Sequence, residues 1–439
     1  MSFNIISKIL EVYDKNIKFD EEFCENEVIR GVEHKIFQGK LTYEPQYCAH
    51  CGKKNKENLV VKNGTQTVNI LIGQQNYKPC ILRLKKQRFY CKHCNRTFIA
   101  KTDIVDENCY ISNKVKKYIN IDLSENITQK YIAARHSVSN STVERVLRTN
   151  QFKVNKKWLP EVLGIDEFKS IKSVDSNMSV ILCDVHNGDI IDIFTDRRKR
   201  YLREYFLSFS KEARNMVKYI TTDMYTPYID LARDLFPNAQ VVIDKFHIVQ
   251  LMTRCMQKLR INEMKKLKTN SKEYRKLKRY WKIILKKKWK LNGVEFYKYP
   301  CYKKLTNSKE ICSDLLDISE TLRAGYELYQ EFLWIIYSKD SDAFLRFIEK
   351  NIYNKNICEE FKTALKTLYT YRFEIINALE TGYTNAVVEG NNSMIKAIKK
   401  TACGFRSFEN MRLRIMMWKK IKIEKHDSNQ SVFTLDAVA

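Results

Sequence analysis

Apolar and polar positions follow several different rhythms along this chain. Over residues 1–40 the apolar positions recur at helical spacing and predict one or two amphipathic helices. From 41 to 100 the pattern shortens to that of short strands and turns. Residues 66–72 and 81–90 read as extended, the second alternating apolar with basic side chains. Residues 110–150 read as helices. A β/α pattern then starts near Trp158 and runs to about Met252. Its strands are expected at 162–169, 179–183, 189–194, 217–222 and 240–243, with Asn187-Gly188 as a hairpin turn and helices after the last two strands. Lysine-rich and then mixed helices are expected over 253–380, and a last helical segment over 386–425. The tail, 426–439, has little periodicity. No apolar run approaches the roughly 18 residues of a membrane span. The start of the chain, broken by Lys8, Glu11 and Asp14, lacks the apolar run of a signal peptide. A cytoplasmic protein without a membrane partner is the expectation.

Thirteen cysteines are an odd number, and with no export signal a disulfide framework is not expected. Four of them form two matched pairs, Cys48-Ala49-His50-Cys51 and Cys91-Lys92-His93-Cys94. A tight CxxC turn offers two thiolates, and two such turns supply the four soft ligands of a structural Zn2+. Gly52 follows one pair and Asn95-Arg96 the other as turn residues, with a hairpin between. All four positions are thiols, so no open coordination position for catalysis is expected. A redox CxxC would be single.

Charge adds a partner. The 439 residues carry 78 Lys and Arg against 51 Asp and Glu, a net of +27, which points to a polyanion, nucleic acid first. The excess is concentrated: between Arg254 and Lys304 stand 19 basic residues and three acids, interleaved with Tyr274, Tyr280, Trp281, Trp289, Phe296 and Tyr297. Clustered cations of this kind suit a phosphate backbone, although a solvated helix face would look the same. Upstream, residues 124–148 read as two short helices around the turn His136-Ser137-Val138-Ser139. The first, from about Asn126, would bury Ile127, Tyr131, Ile132 and Ala134. The second, capped by Ser139 or Asn140, would bury Val143, Val146 and Leu147. Asn140, Ser141, Thr142 and Arg145 would then lie at the start of a DNA-recognition helix, where base edges are met. A helical hairpin without a DNA role shows the same pattern.

Acids stand at telling places in the β/α region. Asp166 lies within the first strand, Asp223 ends the fourth, Asp244 ends the fifth, and Glu389 falls early in the helix expected from Ala386. Strand–hairpin–strand–helix–strand–helix is the order of a ribonuclease-H-like sheet. Asp166 and Asp223 on adjacent strands, with a glutamate from a packed helix, can hold two Mg2+ or Mn2+ ions about 4 Å apart beside a phosphodiester. Strand alternation sends Glu167 to the opposite face from Asp166. Asp244 is the rival to Asp223. On the Glu389 helix, Asn392, Lys396 and Lys399 share its face at three- and four-residue spacing, and Gly404 ends the helix.

These strings in this order resemble the bacterial insertion-sequence DDE transposases of the ISL-three family. The resemblance rests on the cysteine pairs and the two-helix segment, then on Gly164-Ile165-Asp166-Glu167-Phe168. It continues through Thr222-Asp223-Met224 with Tyr228, and Val242-Ile243-Asp244-Lys245-Phe246-His247. It closes on 385–392 (NAVVEGNN), Ile395-Lys396 and Gly404-Phe405-Arg406. It implies that Asp166, Asp223 and Glu389 are the catalytic triad and that Asp244 and His247 support it. It also implies that Lys399, Lys400 and Arg406 meet DNA. The expected chain is therefore α+β and multidomain. It has an N-terminal helical segment (1–40), a zinc ribbon (41–104) and a helix-turn-helix DNA-binding domain (105–152). A ribonuclease-H-like α/β catalytic domain (158–252 and 381–425) follows, interrupted by a basic helical insertion (253–380), and a tail (426–439) ends the chain. The implied activity is binding of terminal inverted repeats in double-stranded DNA, metal-dependent cleavage and strand transfer by a homo-oligomer. No small-molecule substrate is implied. A zinc-ribbon DNA-binding regulator without catalysis, or a stand-alone nuclease, are the rival readings.

Overall fold

The computed structural model describes residues 3–420, apart from the side chains of residues 3–5, 21–23 and 420. The expected tail and residues 421–425 of the expected last helix lie outside the described residues. The chain divides into two compact units: residues up to 153 together with those from 395 onward, and residues 154–394. Among the described residues no helix is long and apolar enough to cross a membrane.

The first unit opens with α1 (Phe3–Leu10) and a sheet of β1 (Ile17–Ile29), β2 (Val32–Leu41), β3 (Val60–Gln75), β4 (Lys78–Cys91) and β5 (Arg96–Ile99). The strand order is β1-β2-β4-β3, with β5 on β4. All pairings are antiparallel except β2 with β4. Two junctions are tight because they can be. Arg30-Gly31 and Asn76-Tyr77 all adopt positive φ, 50° and 78°, then 51° and 60°, the left-handed pair a two-residue hairpin with strand-compatible twist requires. The helices expected over 1–40 are thus corrected to one helix and two long strands. Apolar positions split by charges fit either period over so short a window. The deciding partner for β2 is β4, some 45 residues further on. The strands expected to be short are instead long: β3 has 16 residues and β4 has 14.

Three helices follow: α2 (Asn113–Ser124), α3 (Gln129–Arg135) and α4 (Asn140–Thr149). Ser112, Thr128 and Ser139 cap them, each side-chain oxygen accepting from the backbone N–H three residues on, at 3.4, 3.0 and 3.2 Å. The helix expected from Asn126 begins at Gln129. It buries Ile132 and Ala133 and leaves Tyr131 and Ala134 exposed. Val143, Val146 and Leu147 of α4 are buried as the periodicity requires.

The second unit carries β6 (Val162–Lys169), β7 (Met178–Asp184), β8 (Ile190–Phe194), α5 (Lys199–Leu207), α6 (Lys211–Met216), β9 (Tyr219–Thr222), α7 (Thr226–Leu235) and β10 (Gln240–Ile243). A helical run follows: α8 (Lys245–Lys265), α9 (Lys272–Arg279), α10 (Trp281–Leu285), α11 (Ser308–Leu316), α12 (Glu320–Ser338), α13 (Ser341–Ile352), α14 (Glu359–Thr370) and α15 (Arg372–Thr381). The helix α16 (Ala386–Thr401) begins in this unit. The last helix, α17 (Phe408–Lys420), belongs to the first unit, where Leu413 and Met417 enter the core built by α2, α3 and α4.

The sheet of the second unit runs β10-β9-β6-β7-β8. β10, β9 and β6 are parallel, and β6, β7 and β8 antiparallel. Leu163, Ile165, Val180, Leu182, Ile220, Val241 and Ile243 form one continuous core with the long helices. Near-continuous apolar runs of this kind suit strands covered on both faces. Gly164 has a specific role in that cover. A Cβ placed there would stand 2.6 Å from Cγ2 of Val388, so only a bare backbone lets the N-terminal half of α16 lie against β6.

Candidate active site and metal centre

In the first unit, Cys48, Cys51, Cys91 and Cys94 bring their sulfurs within 4.8 Å of one another. Cys48 Sγ lies 3.7 Å from Cys94 Sγ, and Cys51 Sγ 3.9 Å from Cys91 Sγ. Each knuckle closes in the same way. The backbone N–H of Gly52 donates to the Cys48 carbonyl at 3.0 Å, and that of Asn95 to the Cys91 carbonyl at 2.9 Å. Both closing residues sit at positive φ, 68° and 53°, which explains a glycine and an asparagine there. Burial works against ionising Cys48. Hydrogen bonds from the Cys51 and His50 backbone and from neighbouring thiols outweigh it and bring the thiol down to about 6. Four convergent sulfurs, one already biased to thiolate, fit a soft cation, and this cluster could hold one. His50 and His93 point elsewhere: His50 Nε2 meets the Thr97 carbonyl oxygen, and His93 Nε2 meets Lys53.

In the second unit, the ends of the parallel strands assemble acids around a histidine. Asp166 sits late in β6, Asp223 directly follows β9, and Asp244 follows β10 as N-cap of α8, accepting from the Phe246 N–H at 3.2 Å. His247 lies on the first turn of α8. Asp244, His247 and Glu389 of α16 bring ligand atoms within 4.8 Å of one another. Asp166 and Asp223 interact electrostatically with each other and with His247. Burial raises the Asp166 carboxyl to about 6. The Glu167 N–H opposes that shift, the charge on Asp223 adds to it, and His247 works against it. Asp223 is raised as well, first by burial and then by Glu167, with His247 and Arg197 opposing. Among the described residues Asp166, Asp223 and Glu389 do not form a single set within 4.8 Å. The set that does contains Asp244, the rival considered for the second position.

Asn385, just before α16, and Asn391 and Asn392 within it tie the helix to β6 and β7. Asn385 Nδ2 donates to the Ile165 carbonyl at 3.5 Å, and Asn391 Nδ2 to the Gly188 carbonyl at 3.1 Å and to Cys183 Sγ at 3.2 Å. Asn392 Nδ2 donates to Asp166 Oδ2 at 2.8 Å and to the Glu167 carbonyl at 3.2 Å. Asn391 and Asn392 are buried while Glu389 is exposed, so one turn of helix anchors itself and presents an acid. Two buried oxygens at this site, Asp223 Oδ1 and Asn392 Oδ1, have no hydrogen-bond partner. Unpaired buried oxygens beside clustered carboxylates are costly unless something positive is bound, and they fit a hard cation.

Sequence reasoning passed over Arg197 and Tyr225 here and gave Tyr228 no partner. The Tyr228 hydroxyl donates to Glu167 Oε1 at 2.8 Å, and Arg197 donates to Glu167 Oε2 at 2.7 Å while stacking 5.2 Å from the Tyr225 ring centre. Glu167 therefore faces partners different from those of Asp166, and an arginine is fixed beside the acids. The run Arg197-Arg198-Lys199-Arg200 was the available signal. Of the other expected residues, Asn140, Ser141 and Arg145 are exposed on the first turns of α4, and Thr142 is half-buried. Lys396, Lys400 and Arg406 are exposed, and Lys399 is half-buried.

A family model described as Transposase, for the DDE transposases of the ISL3 group, matches residues 163–415. The chain belongs to that family. The match contains β6 through α16 and so every acid of the site. The transposase for insertion sequence element IS1001 of Bordetella parapertussis is 23% identical over 261 residues, 58% of this chain and 60% of that protein. A Lactococcus lactis protein described as an ATP-dependent protease is 40% identical over 108 residues, 25% of this chain and 34% of that protein. The chain thus spans about a third and three fifths of these two relatives. The chain itself has a mixed α+β architecture with two sheets, and a tetrathiol cluster and an Asp/His/Glu cluster stand among its described residues.

Proposed function

We propose that this chain is an active insertion-sequence transposase that binds the ends of its element, cleaves DNA there and joins the freed ends to a target. The convergence of Asp166, Asp223, Asp244 and Glu389 around His247 carries this reading. The strand order β10-β9-β6-β7-β8, with two parallel and two antiparallel pairings, supports reading this sheet as ribonuclease-H-like. Its first strand, β6, carries Asp166, and its fourth, β9, leads directly into Asp223.

In this reading Asp166, Asp223 and Glu389 hold divalent Mg2+ or Mn2+. When bound, two such ions supply charge neutralisation at the scissile phosphate and a lowered pKa for water or a 3′-hydroxyl. The protein's own contribution is placement. Burial keeps Asp166 and Asp223 in surroundings where their charge is unfavourable alone, which favours cation uptake. Asn392 fixes the Asp166 rotamer, and Asp244 with His247 flanks Glu389. Arg197 neutralises Glu167, so the second acid of β6 does not compete for the cation.

The tetrathiol cluster is read as a structural zinc site, closing the β4–β5 end of the first sheet. The segment α3–α4 is read as a helix-turn-helix, with Asn140, Ser141, Thr142 and Arg145 toward base edges. Lys399, Lys400 and Arg406 are assigned to DNA phosphates. Pairing of two element ends calls for more than one copy of the chain. DNA as the partner places the protein at the nucleoid.

The test is Mg2+-dependent nicking of a duplex bearing the element's ends, read beside a gel shift. Asp166→Asn, Asp223→Asn and Glu389→Gln are expected to lower nicking at least a thousandfold and leave the shift unchanged. Retained nicking in all three sinks the triad. Loss with Asp244→Asn but not with Asp223→Asn would assign the second position to Asp244.

A further inference from the structure

Three aromatic side chains of the helical region lie together at the surface. Trp289 stands 36% exposed, Trp334 53% and Tyr337 56%. Their ring centres are 5.2 Å apart for Trp289–Trp334 at 85°, 5.2 Å for Trp289–Tyr337, and 5.9 Å for Trp334–Tyr337. Trp334 and Tyr337 share one face of α12 by three-residue spacing. Trp289 is brought to them by a short segment that α12 itself holds. The buried Gln330 accepts from the Lys288 N–H at 2.8 Å and donates to the Lys286 carbonyl at 3.0 Å.

Lysines surround the rings. Lys287 Nζ lies 5.5 Å from the Trp289 ring centre and 5.2 Å from that of Tyr337. Lys286, Lys288 and Lys290 are exposed, and no ion pair engages them among the described residues. A helix surface evolved only for solvent would not keep so much ring area wet. Stacking surfaces of this kind, edged by cations, suit unpaired nucleobases, whose faces stack while their phosphates meet the lysines. Paired bases hide those faces inside the duplex, so the rings favour a strand with bases free.

We propose that Trp289, Trp334 and Tyr337, with Lys286, Lys287, Lys288 and Lys290, form a binding platform for single-stranded DNA. The assignment goes beyond the cleavage chemistry, and its test reads binding only, so either can fail without the other. Full-length protein, in buffer without added Mg2+, is titrated into a fluorescein-labelled fifteen-residue oligothymidine and into a duplex of the same length. Anisotropy gives the affinity.

Trp289→Ala and Trp334→Ala are each expected to weaken single-strand binding about tenfold, in line with base–aromatic stacking, and to change duplex binding less than twofold. Trp289→Phe and Trp334→Phe should restore most of the loss, which separates stacking from folding. Lys286→Ala with Lys288→Ala should flatten the salt dependence. Equal single-strand affinity in wild type and both alanine variants overturns the proposal. So does equal loss on single strand and duplex. A sedimentation shift to smaller species in the alanine variants, with single-strand affinity unchanged, would instead show that a second copy of the chain covers the rings.

Discussion

Burial and the neighbouring Asp223 hold the Asp166 carboxyl at about 6, against an ordinary value of 3.8. The sign of the linkage follows. The neutral carboxyl stabilises the fold fully below about pH 4, and that contribution is lost as pH rises through about 6. Asn at this position stays neutral throughout. The stability advantage of Asp166→Asn over wild type should therefore grow between pH 4 and pH 7, by at most on the order of 3 kcal/mol. Urea unfolding of the cation-free protein at several pH values measures it, and parallel curves for the two proteins would count against the assignment. Added Mg2+ should narrow the gap at pH 7, because a bound cation removes the penalty on the ionised acid. At this scale the strand-end acids were legible in the sequence, since a carboxylate in an apolar run needs a reason. Arg197 and Tyr228 were less so. Their roles depend on which side of β6 Glu167 faces and on what α5 and α7 bring to that side.

The helix α16 converts local sequence into distance. Gly164, Asn385, Asn391 and Asn392 together seat it on β6 and β7, and Glu389 is what that seating presents. Gly164→Ala should push Val388 outward, because its new methyl would need space that Cγ2 of Val388 occupies. Overpacking of this size costs about 1–3 kcal/mol. Thermal unfolding should show a lowered midpoint, and nicking should fall by more than the fraction unfolded explains, since Glu389 moves with the helix. Unchanged nicking at full folding would mean that α16 has slack there. The periodicity of the helix was readable in advance, and so was its glutamate. The asparagines as anchors were not, because a buried amide is recognised only by the carbonyls it meets. The N-terminal strands show the opposite outcome. Residues 17–40 read as helix because the apolar positions fit both periods, and the hydrogen bonds from β2 to a distant strand settled the matter.

The whole molecule places a tetrathiol cluster in one compact unit and the acid cluster in the other. Cation removal should therefore act on them separately. A thiol-directed chelator, or Cys91→Ser, should lower the melting transition of the first unit by about 10 °C or more, since a structural metal contributes directly to folding. The transition of the second unit should stay within a degree or two. Differential scanning calorimetry of the full chain checks this, and a single transition that shifts as a whole would contradict it. By itself the sequence determined the chemistry: which thiols pair, which acids end strands, where cations concentrate, and which family the order of motifs belongs to. Those features are local in the chain or carried by residue type. The tertiary structure decided the pairing of β2 with β4, the packing of α17 against α2 and α4, and the grouping of Asp244 and His247 with Glu389. Each of these joins residues distant in the chain. Contacts at such separation are selected by the total burial and hydrogen bonding of the folded state, which no local pattern encodes.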